Sequence, residues 1–146
     1  MTRVWRDRCI GQPHTITLFK STNGAISGGY LHIPWNKEGG YHADYQAFIF
    51  SLDHELKLVP QNPHKAVWCK ANFGPRFGGG SLSVGKNERM NAFLNCECKT
   101  NASPQDSYNV PTDEEGNSIL SKTGKGRDDS AKLFTLDALE TWQVLY

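Results

Sequence analysis

The sequence predicts a mainly β fold, built as an antiparallel sandwich or barrel. Short runs rich in β-branched and aromatic residues recur along the 146-residue chain, and turn residues separate them at short intervals. No sustained helical period accompanies them. Chains of about 100–200 residues usually close a single core, so we expect one domain over residues 1–146.

The clearest local element is a hairpin near the start of the chain. Residues 15–19 and 25–30 are two β-rich runs on either side of a polar turn that contains Asn23 and Gly24. An Asn-Gly pair supplies the positive φ angles that a tight primed turn needs. We therefore expect two antiparallel strands joined by such a turn.

Further strands are expected along the rest of the chain. Residues 46–52 and 55–59 predict a second hairpin, and the second of these runs alternates with a period of two. Pro60 and Pro63 end it by withholding backbone donors. The later strand candidates are residues 65–70, residues 81–84 after a glycine-rich turn at 72–80, and residues 91–99.

Two stretches have the composition of loops, and the last residues return to a strand pattern. Residues 31–45 mix proline and glycine with aromatic and polar residues, which predicts a long surface loop. Residues 100–129 are polar, with scattered proline and glycine, which predicts a long mobile loop. Residues 131–146 favour a strand, and their apolar positions do not share one parity, so we expect a bulge or a short helix near Asp137.

Composition and charge narrow the classes of partner. Sixteen basic and fifteen acidic side chains leave a formal net charge of +1, which lacks the basic excess typical of nucleic-acid binding. No apolar run approaches the roughly 20 residues of a membrane-spanning helix. Residues 1–8 are charged where a signal peptide would turn apolar. We therefore expect a soluble, cytoplasmic protein without a nucleic-acid partner or a membrane span.

A phosphate-binding loop is the most conspicuous motif, and it is incomplete. Residues 80–86 have the glycine and lysine spacing of such a loop. The motif requires a Ser or Thr hydroxyl after Lys86 to bind Mg²⁺, and Asn87 stands there instead. The residues between the glycines alternate like a strand. The sequence therefore predicts no nucleotide cofactor, and we expect no other cofactor.

The cysteines allow two interpretations. Cys96 and Cys98 could present two thiolates, but their spacing differs from that of zinc knuckles and a second close pair is missing, so no metal site is predicted. The simpler interpretation is that the thiols are reduced and serve as small apolar side chains. The alternative is a redox protein that uses a thiolate of lowered pKa at Cys9, Cys69, Cys96 or Cys98.

No pattern of catalytic residues stands out. The sequence lacks the Gly-x-Ser-x-Gly elbow that presents a serine nucleophile. The acidic pairs at 114–115 and 128–129 lie in polar stretches where carboxylates stay solvated. Aromatic residues beside glycines and loops are a different signal. Most are expected to pack in the core, and the rest to anchor a partner, because exposed aromatic side chains concentrate binding energy. They are Tyr30, Trp35, Tyr41, Tyr45, Phe73 and Phe77.

An ordered series of short segments resembles the TLDc family over most of the chain. The segments are Arg8-Cys9 followed by Thr15-Ile16-Thr17, Asn23-Gly24 and Gly28-Gly29-Tyr30, Pro34-Trp35, Ala47-Phe48-Ile49-Phe50-Ser51-Leu52, Asn72-Phe73-Gly74-Pro75 with Phe77-Gly78-Gly79-Gly80, and finally Phe134-Thr135-Leu136 with Leu139-Glu140-Thr141-Trp142. The resemblance implies a two-sheet antiparallel β-sandwich with a few short flanking helices.

The resemblance also implies a non-catalytic regulatory role. Similar domains are linked to resistance against oxidative stress and to binding and regulation of the vacuolar-type proton-pumping ATPase. Some resemble the interferon-induced 44-type proteins, which join such a domain to a GTPase module. The alternative partners are therefore adjoining domains of a larger defence or GTPase protein, from which this module would be excised. Compared with longer family members, the chain is expected to lack a helical leader of some tens of residues and to differ over residues 100–129.

Candidate site residues follow from the matching segments. Glu140 and Trp142 in the closing segment are interaction candidates, as are the loop aromatics Trp35 and Phe77. Five glycines are expected to mark the fold rather than a site, because glycine adopts backbone angles closed to other residues. They are Gly28, Gly29, Gly78, Gly79 and Gly80.

Overall fold

A computed structural model describes residues 2–69, 74–84, 96–99, 107–122 and 131–145. The elements are helix α1 (Thr2–Cys9) and strands β1 (Thr15–Ser21), β2 (Ile26–Leu31), β3 (Gly40–His42), β4 (Phe48–Ser51), β5 (Leu56–Leu58), β6 (Val67–Cys69), β7 (Arg76–Phe77), β8 (Leu82–Ser83), β9 (Cys96–Lys99), β10 (Ala131–Phe134) and β11 (Leu136–Gln143), with a 3-10 helix at Pro63–Lys65. No helix in these ranges is long and apolar enough to cross a bilayer.

The strands form two antiparallel sheets. The first sheet has the order β11-β1-β2-β4-β5 and the second has the order β10-β9-β8-β7-β6-β3. Phe77 of the second sheet packs against Gly29 of the first, and the rings of Phe19 and Phe134 lie 6.4 Å apart across the same interior. The mainly β fold with two antiparallel sheets is therefore confirmed.

The first hairpin is confirmed, but its turn differs from the prediction. The N–H of Gly24 donates to the carbonyl of Ser21 at 3.0 Å, and the N–H of Ser21 donates to the carbonyl of Ala25 at 2.9 Å. Gly24 has a φ of +89°, whereas Asn23 keeps a negative φ. The connection is thus a three-residue loop whose last residue is left-handed, and the primed turn was wrong because only one positive φ is needed here.

The other predicted strands have counterparts in the structure. The second hairpin is β4 with β5, and the glycine-rich turn joins β7 to β8. Strand β9 occupies the end of the run predicted at 91–99, whose first five residues lie outside the described ranges. The bulge near Asp137 is confirmed, because Lys20 pairs with Ala138 and the next residue, Ser21, pairs with Leu136.

Helix α1 was not predicted from the sequence. It has eight residues, too few to display a helical period, and it buries Trp5 and Cys9, which lie four residues apart on one face. The indole N–H of Trp5 donates to Oγ1 of Thr141 at 2.8 Å, so the helix is attached to β11. Its packing against the sheets, more than its own propensity, accounts for a helix this short.

Two loop predictions need correction. Within residues 31–45, Trp35 and Asp44 are buried, and a carboxylate oxygen of Asp44 accepts hydrogen bonds from the N–H groups of His32 at 2.7 Å and Ile33 at 3.1 Å. This stretch is therefore attached to the core at Trp35 and Asp44 and contains strand β3 (Gly40–His42), so it is not a continuous loop, although seven of its fifteen residues are exposed.

The mobile loop predicted at 100–129 is wrong for residues 107–122. Tyr108, Val110 and Leu120 in this segment are completely buried, and the hydroxyl of Tyr108 donates to the carbonyl of Ala66 at 3.0 Å. A few apolar residues among polar ones were enough to fix it. Residues 100–106 and 123–129 lie outside the described ranges.

Candidate interaction surface

The two faces of the first sheet differ in what covers them. Along β1, burial alternates residue by residue, with Thr17 and Phe19 turned toward the second sheet and Ile16 and Leu18 turned away from it. We call the side turned away from the second sheet the outer face. It carries Ile16, Leu18, Lys20, Ile26, Gly28, Tyr30, Phe48, Phe50, Lys57, Ala138, Glu140 and Trp142.

Strand register places these side chains in rows across the sheet. In one row Trp142 pairs with Ile16, which in turn pairs with Tyr30. The neighbouring row contains Gly28 opposite Phe50. A Cβ atom at Gly28 would meet the carbonyl of Thr17 and would lie 2.7 Å from Cζ of Phe50, so the glycine lets the phenyl ring lie close to the backbone.

Aromatic rings cover one half of the outer face. Tyr30 and Phe48 are stacked with their centroids 5.2 Å apart, and the Phe50 ring lies 6.3 Å from that of Phe48. The ammonium of Lys57 lies 4.3 Å above the Phe48 ring, in a cation–π arrangement. The hydroxyl of Tyr30 is 3.2 Å from Nδ1 of His32. These contacts hold the rings of this half in place.

Trp142 and an ion pair lie on the other half. The side chain of Trp142 is 62% exposed, a large exposure for a tryptophan. Nζ of Lys20 lies 3.3 Å from Oε2 of Glu140 on the adjacent strand, and both side chains are about 40% exposed (41% and 39%). The structure therefore places two of the four interaction candidates, Glu140 and Trp142, at alternate positions on the same side of β11.

Trp35 and Phe77, the other two candidates, are buried, with exposures of 2% and 0%. Their rings meet edge to face at 5.5 Å, Trp35 meets Trp5 in the same way at 4.9 Å, and its indole N–H donates to Oγ1 of Thr15 at 2.9 Å. The prediction that Trp35 and Phe77 contact a partner is therefore wrong. Both lie near glycines and loops in the sequence, but their side chains pack in the core.

The five glycines have distinct positions. Gly29 lies on the inner side of β2, where a Cβ would overlap the Phe77 ring. In the turn between β7 and β8, Gly78 and Gly80 have φ angles of +64° and +117°, and the carbonyl of Gly79 accepts a hydrogen bond from Nη2 of Arg76 at 2.9 Å. Close contact and left-handed backbone are the two conditions that favour glycine there.

The other exposed aromatic residues lie elsewhere. Tyr41 on β3 of the second sheet is 41% exposed, with Nζ of Lys65 5.1 Å from its ring centroid. Tyr45 is 69% exposed, and its hydroxyl is 3.1 Å from Nε2 of His64. Phe73 lies outside the described residues. Tyr41 pairs across strands with Trp68, whose ring centroid lies 4.5 Å from Cζ of Arg76, so its surroundings are cationic as well as aromatic.

Two cysteines can be assessed as nucleophiles. Cys9 and Cys69 are buried, and burial raises the pKa of each thiol above its ordinary value, against a smaller lowering by hydrogen bonds to Thr141 and to the backbone of Asn36 respectively. A raised pKa leaves the thiol protonated at neutral pH and slow to react. Cys96 and Cys98 lie on β9, two residues apart on one strand.

A cavity beside α1 includes Cys9 in its lining. It has a volume of about 210 Å³, and its lining residues include neither a histidine nor a carboxylate. They are Arg8, Cys9, Gln12, Thr15, Thr141 and Gln143. In the part of the chain that the structure describes, no group of three or more His, Cys, Asp and Glu side chains is arranged to hold a metal ion.

Sequence reasoning missed most of the outer face. It singled out Glu140 and Trp142, but not Ile16, Leu18 or Phe50. The signal was present, since each of these residues holds an alternate position in a predicted strand. The alternation does not show against which side of the sheet the second sheet packs. In β4 it is also ambiguous, because apolar residues occupy positions on both sides of the strand.

Comparison with known proteins agrees with this architecture. The family model of the TLDc domain matches residues 5–145, which is nearly the whole chain. A search of curated proteins finds no match. The matched segment contains both sheets and the closing strand with Glu140 and Trp142. The chain therefore belongs to the TLDc domain family.

Proposed function

We propose that this TLDc domain is a non-catalytic regulatory module of the cytoplasm that binds another protein through the outer face of its first sheet. By family resemblance, the proposed partner is a subunit of the vacuolar-type proton-pumping ATPase, and the proposed setting is resistance to oxidative stress. The observation that carries the binding role is Trp142, 62% exposed beside a row of half-buried apolar side chains.

The physical argument begins with the cost of leaving this surface in water. Burial of apolar area contributes about 25 cal/mol per Å², and contiguous exposed apolar patches commonly mark protein-interaction sites. Ile16 and Leu18 on β1 join Trp142 to the aromatic half of the face. A flat partner surface could therefore bury Trp142 together with its neighbours, and tryptophan is among the commonest energetic anchors of interfaces.

The ion pair beside Trp142 would contribute orientation. Lys20 and Glu140 are both partly exposed, so their attraction in the unbound domain is weak and screened. When a partner excludes water, each charge requires a complementary group, and a partner without one is rejected. The pair would thus favour a partner with polar groups placed opposite it.

Catalysis receives less support than binding. The thiols of Cys9 and Cys69 are buried with raised pKa, and the lining of the cavity beside α1 contains neither histidine nor carboxylate. A cysteine-based redox protein would need an accessible thiolate, which neither Cys9 nor Cys69 offers. The remaining alternative is an accessory or sensing domain of a larger defence or GTPase protein, in which the outer face would contact a neighbouring domain.

The proposal is tested by capture of pump subunits on the immobilised domain. We expect Trp142→Ala to reduce capture about tenfold or more, the usual loss when an interface anchor is truncated. Tyr41→Ala is the matched control, because Tyr41 is also an exposed aromatic residue but lies on the second sheet. Equal capture by both variants, or no capture by the wild type, would contradict pump binding through this face.

A further inference from the structure

The outermost strands of the two sheets are unequal. Strand β11 has eight residues, whereas the other outermost strands, β5, β3 and β10, have three, three and four. An outermost strand presents backbone groups that can pair with another chain, and proteins commonly protect such edges by short strands, lysine or proline. Strand β11 contains neither lysine nor proline, and its single bulge lies at the far end, at Asp137.

The hydrogen-bonding phase of β11 determines which groups point outward. In the described residues β11 pairs on one side, with β1. The N–H of Val144 donates to the carbonyl of His14 at 2.7 Å, so the residues at alternate positions before it, Trp142 and Glu140, also bond toward β1. The N–H and C=O groups of Leu139, Thr141 and Gln143 consequently point away from the sheet.

From this geometry we propose that β11 accepts an extended segment of a partner protein as a sixth strand of the first sheet. The inference rests on the proposed function and specifies it, because the added strand would lie beside Trp142 and Glu140. Main-chain hydrogen bonds to Leu139, Thr141 and Gln143 would supply affinity, and the side chains on the outer face would supply selectivity.

The chemistry of the segment follows from cross-strand pairing. An apolar residue beside Trp142 and a basic residue two positions away beside Glu140 would extend the rows of the outer face. The intervening residue would lie next to Thr141, a polar neighbour. Strand β11 carries Asp137 and Glu140 and no basic residue, so charge favours a partner strand that contains Lys or Arg.

The same charge argues against a second copy as the occupant. Two β11 strands paired edge to edge would bring together four carboxylates, against the two Lys20 ammonium groups that already pair with Glu140 in each copy. Like charges on neighbouring strands are destabilising. We therefore commit to a segment of another protein that alternates apolar, polar and basic residues.

The test measures amide hydrogen exchange in the isotope-labelled 146-residue chain. The probe is a short synthetic peptide with a repeated Val-Thr-Lys-Thr pattern, and a peptide with Glu in place of Lys is the charge control. We expect the Lys peptide to slow exchange of the Leu139, Thr141 and Gln143 amides about tenfold or more, because hydrogen-bonded strand amides exchange slowly. The Glu peptide should have a much smaller effect.

Every other outcome overturns the inference. Slow exchange of these amides in the dilute free protein would mean that the chain itself covers the edge. Slowing that grows with protein concentration in the absence of peptide would identify a second copy as the occupant. If the Lys peptide does not slow exchange, β11 does not accept a partner strand. If the Glu peptide slows exchange equally, the partner strand is not selected by its positive charge.

Two variants at Gln143 separate this inference from the proposed function. Gln143→Pro deletes an outward N–H at an exposed position, and Gln143→Lys introduces a protective lysine while keeping the N–H. We expect both variants to weaken capture of pump subunits. If both capture normally while Trp142→Ala does not, the face binds without an added strand. If the peptide slows exchange at β11 but Trp142→Ala captures pump subunits as well as the wild type does, the inference stands and the proposed function fails.

Discussion

The inner and outer faces of the first sheet carry similar residues in different surroundings. On the inner face, Phe19 and Ile49 are completely buried, whereas Phe48 and Phe50, their counterparts on the outer face, stay half-buried. The inner face fills the space between two sheets, and its aromatic neighbours Trp5, Trp35 and Phe77 complete that core. Apolar residues on the inner face therefore stabilise the fold, and those on the outer face, apart from the buried Tyr30, remain available to a partner.

The largest expected effect on stability is at Trp35, on the inner side of the comparison. Trp35→Ala should lower the free energy of unfolding by about 3–5 kcal/mol, because it removes a buried indole that contacts two aromatic rings. The hydrogen bond to Thr15 would be lost with it. Urea unfolding followed by circular dichroism would measure the change. A loss below about 1 kcal/mol would mean that Trp35 does not support the core.

Tyr108→Phe should have a smaller effect at the same core. Its hydroxyl donates to the carbonyl of Ala66, which also accepts from the N–H of Gly78 at 2.9 Å, so the carbonyl keeps one partner in the variant. We expect a loss of about 1 kcal/mol in unfolding free energy, typical of one hydrogen bond. Denaturant midpoints of wild type and variant at equal slope would give the value, and an unchanged midpoint would show that residues 107–122 are not fixed by this bond.

This segment also shows where sequence reasoning stops. Hairpins and the bulge at Asp137 follow from local patterns, namely β-rich runs, turn residues and a break in parity. Tyr108 and Leu120 lie in a polar stretch, and their burial depends on contacts with residues remote in sequence, such as Ala66. The surface assignment failed for the same reason. Trp35 and Trp142 are both flanked by polar or turn residues, and only the position of the second sheet separates the buried side chain from the exposed one.

Asp53 offers a third, pH-dependent test beside the outer face. Its carboxylate accepts from the N–H of Ile26 at 2.7 Å and lies 3.3 Å from Nζ of Lys122, joining the hairpin of β4 and β5 to residues 107–122. Partial burial raises the pKa of Asp53, but these two partners outweigh burial and hold the pKa below its ordinary 3.8. The ionised carboxylate is thus more stable in the folded protein than in the unfolded chain.

The sign of the pH dependence follows. A lowered pKa stabilises the folded state above the unfolded pKa, and this contribution disappears as the pH falls through the folded pKa. Asp53→Asn should therefore cost about 0.5–1 kcal/mol near neutral pH, and the difference from wild type should disappear as the pH falls through the lowered pKa of Asp53. Unfolding at several pH values would check it. A difference that persists at low pH would show that geometry, not charge, dominates at this position.

The smallest stability effect is expected at Trp142, where the comparison predicts a separation of folding from binding. Its indole is largely in water already, so Trp142→Ala should change the unfolding free energy by no more than about 0.5 kcal/mol. Glu140→Gln should change it equally little, because the partner Lys20 is also partly exposed. If either variant unfolded as readily as Trp35→Ala, the outer face would be part of the structural core. An unchanged midpoint together with lost capture would mean that the fold keeps this surface for a partner.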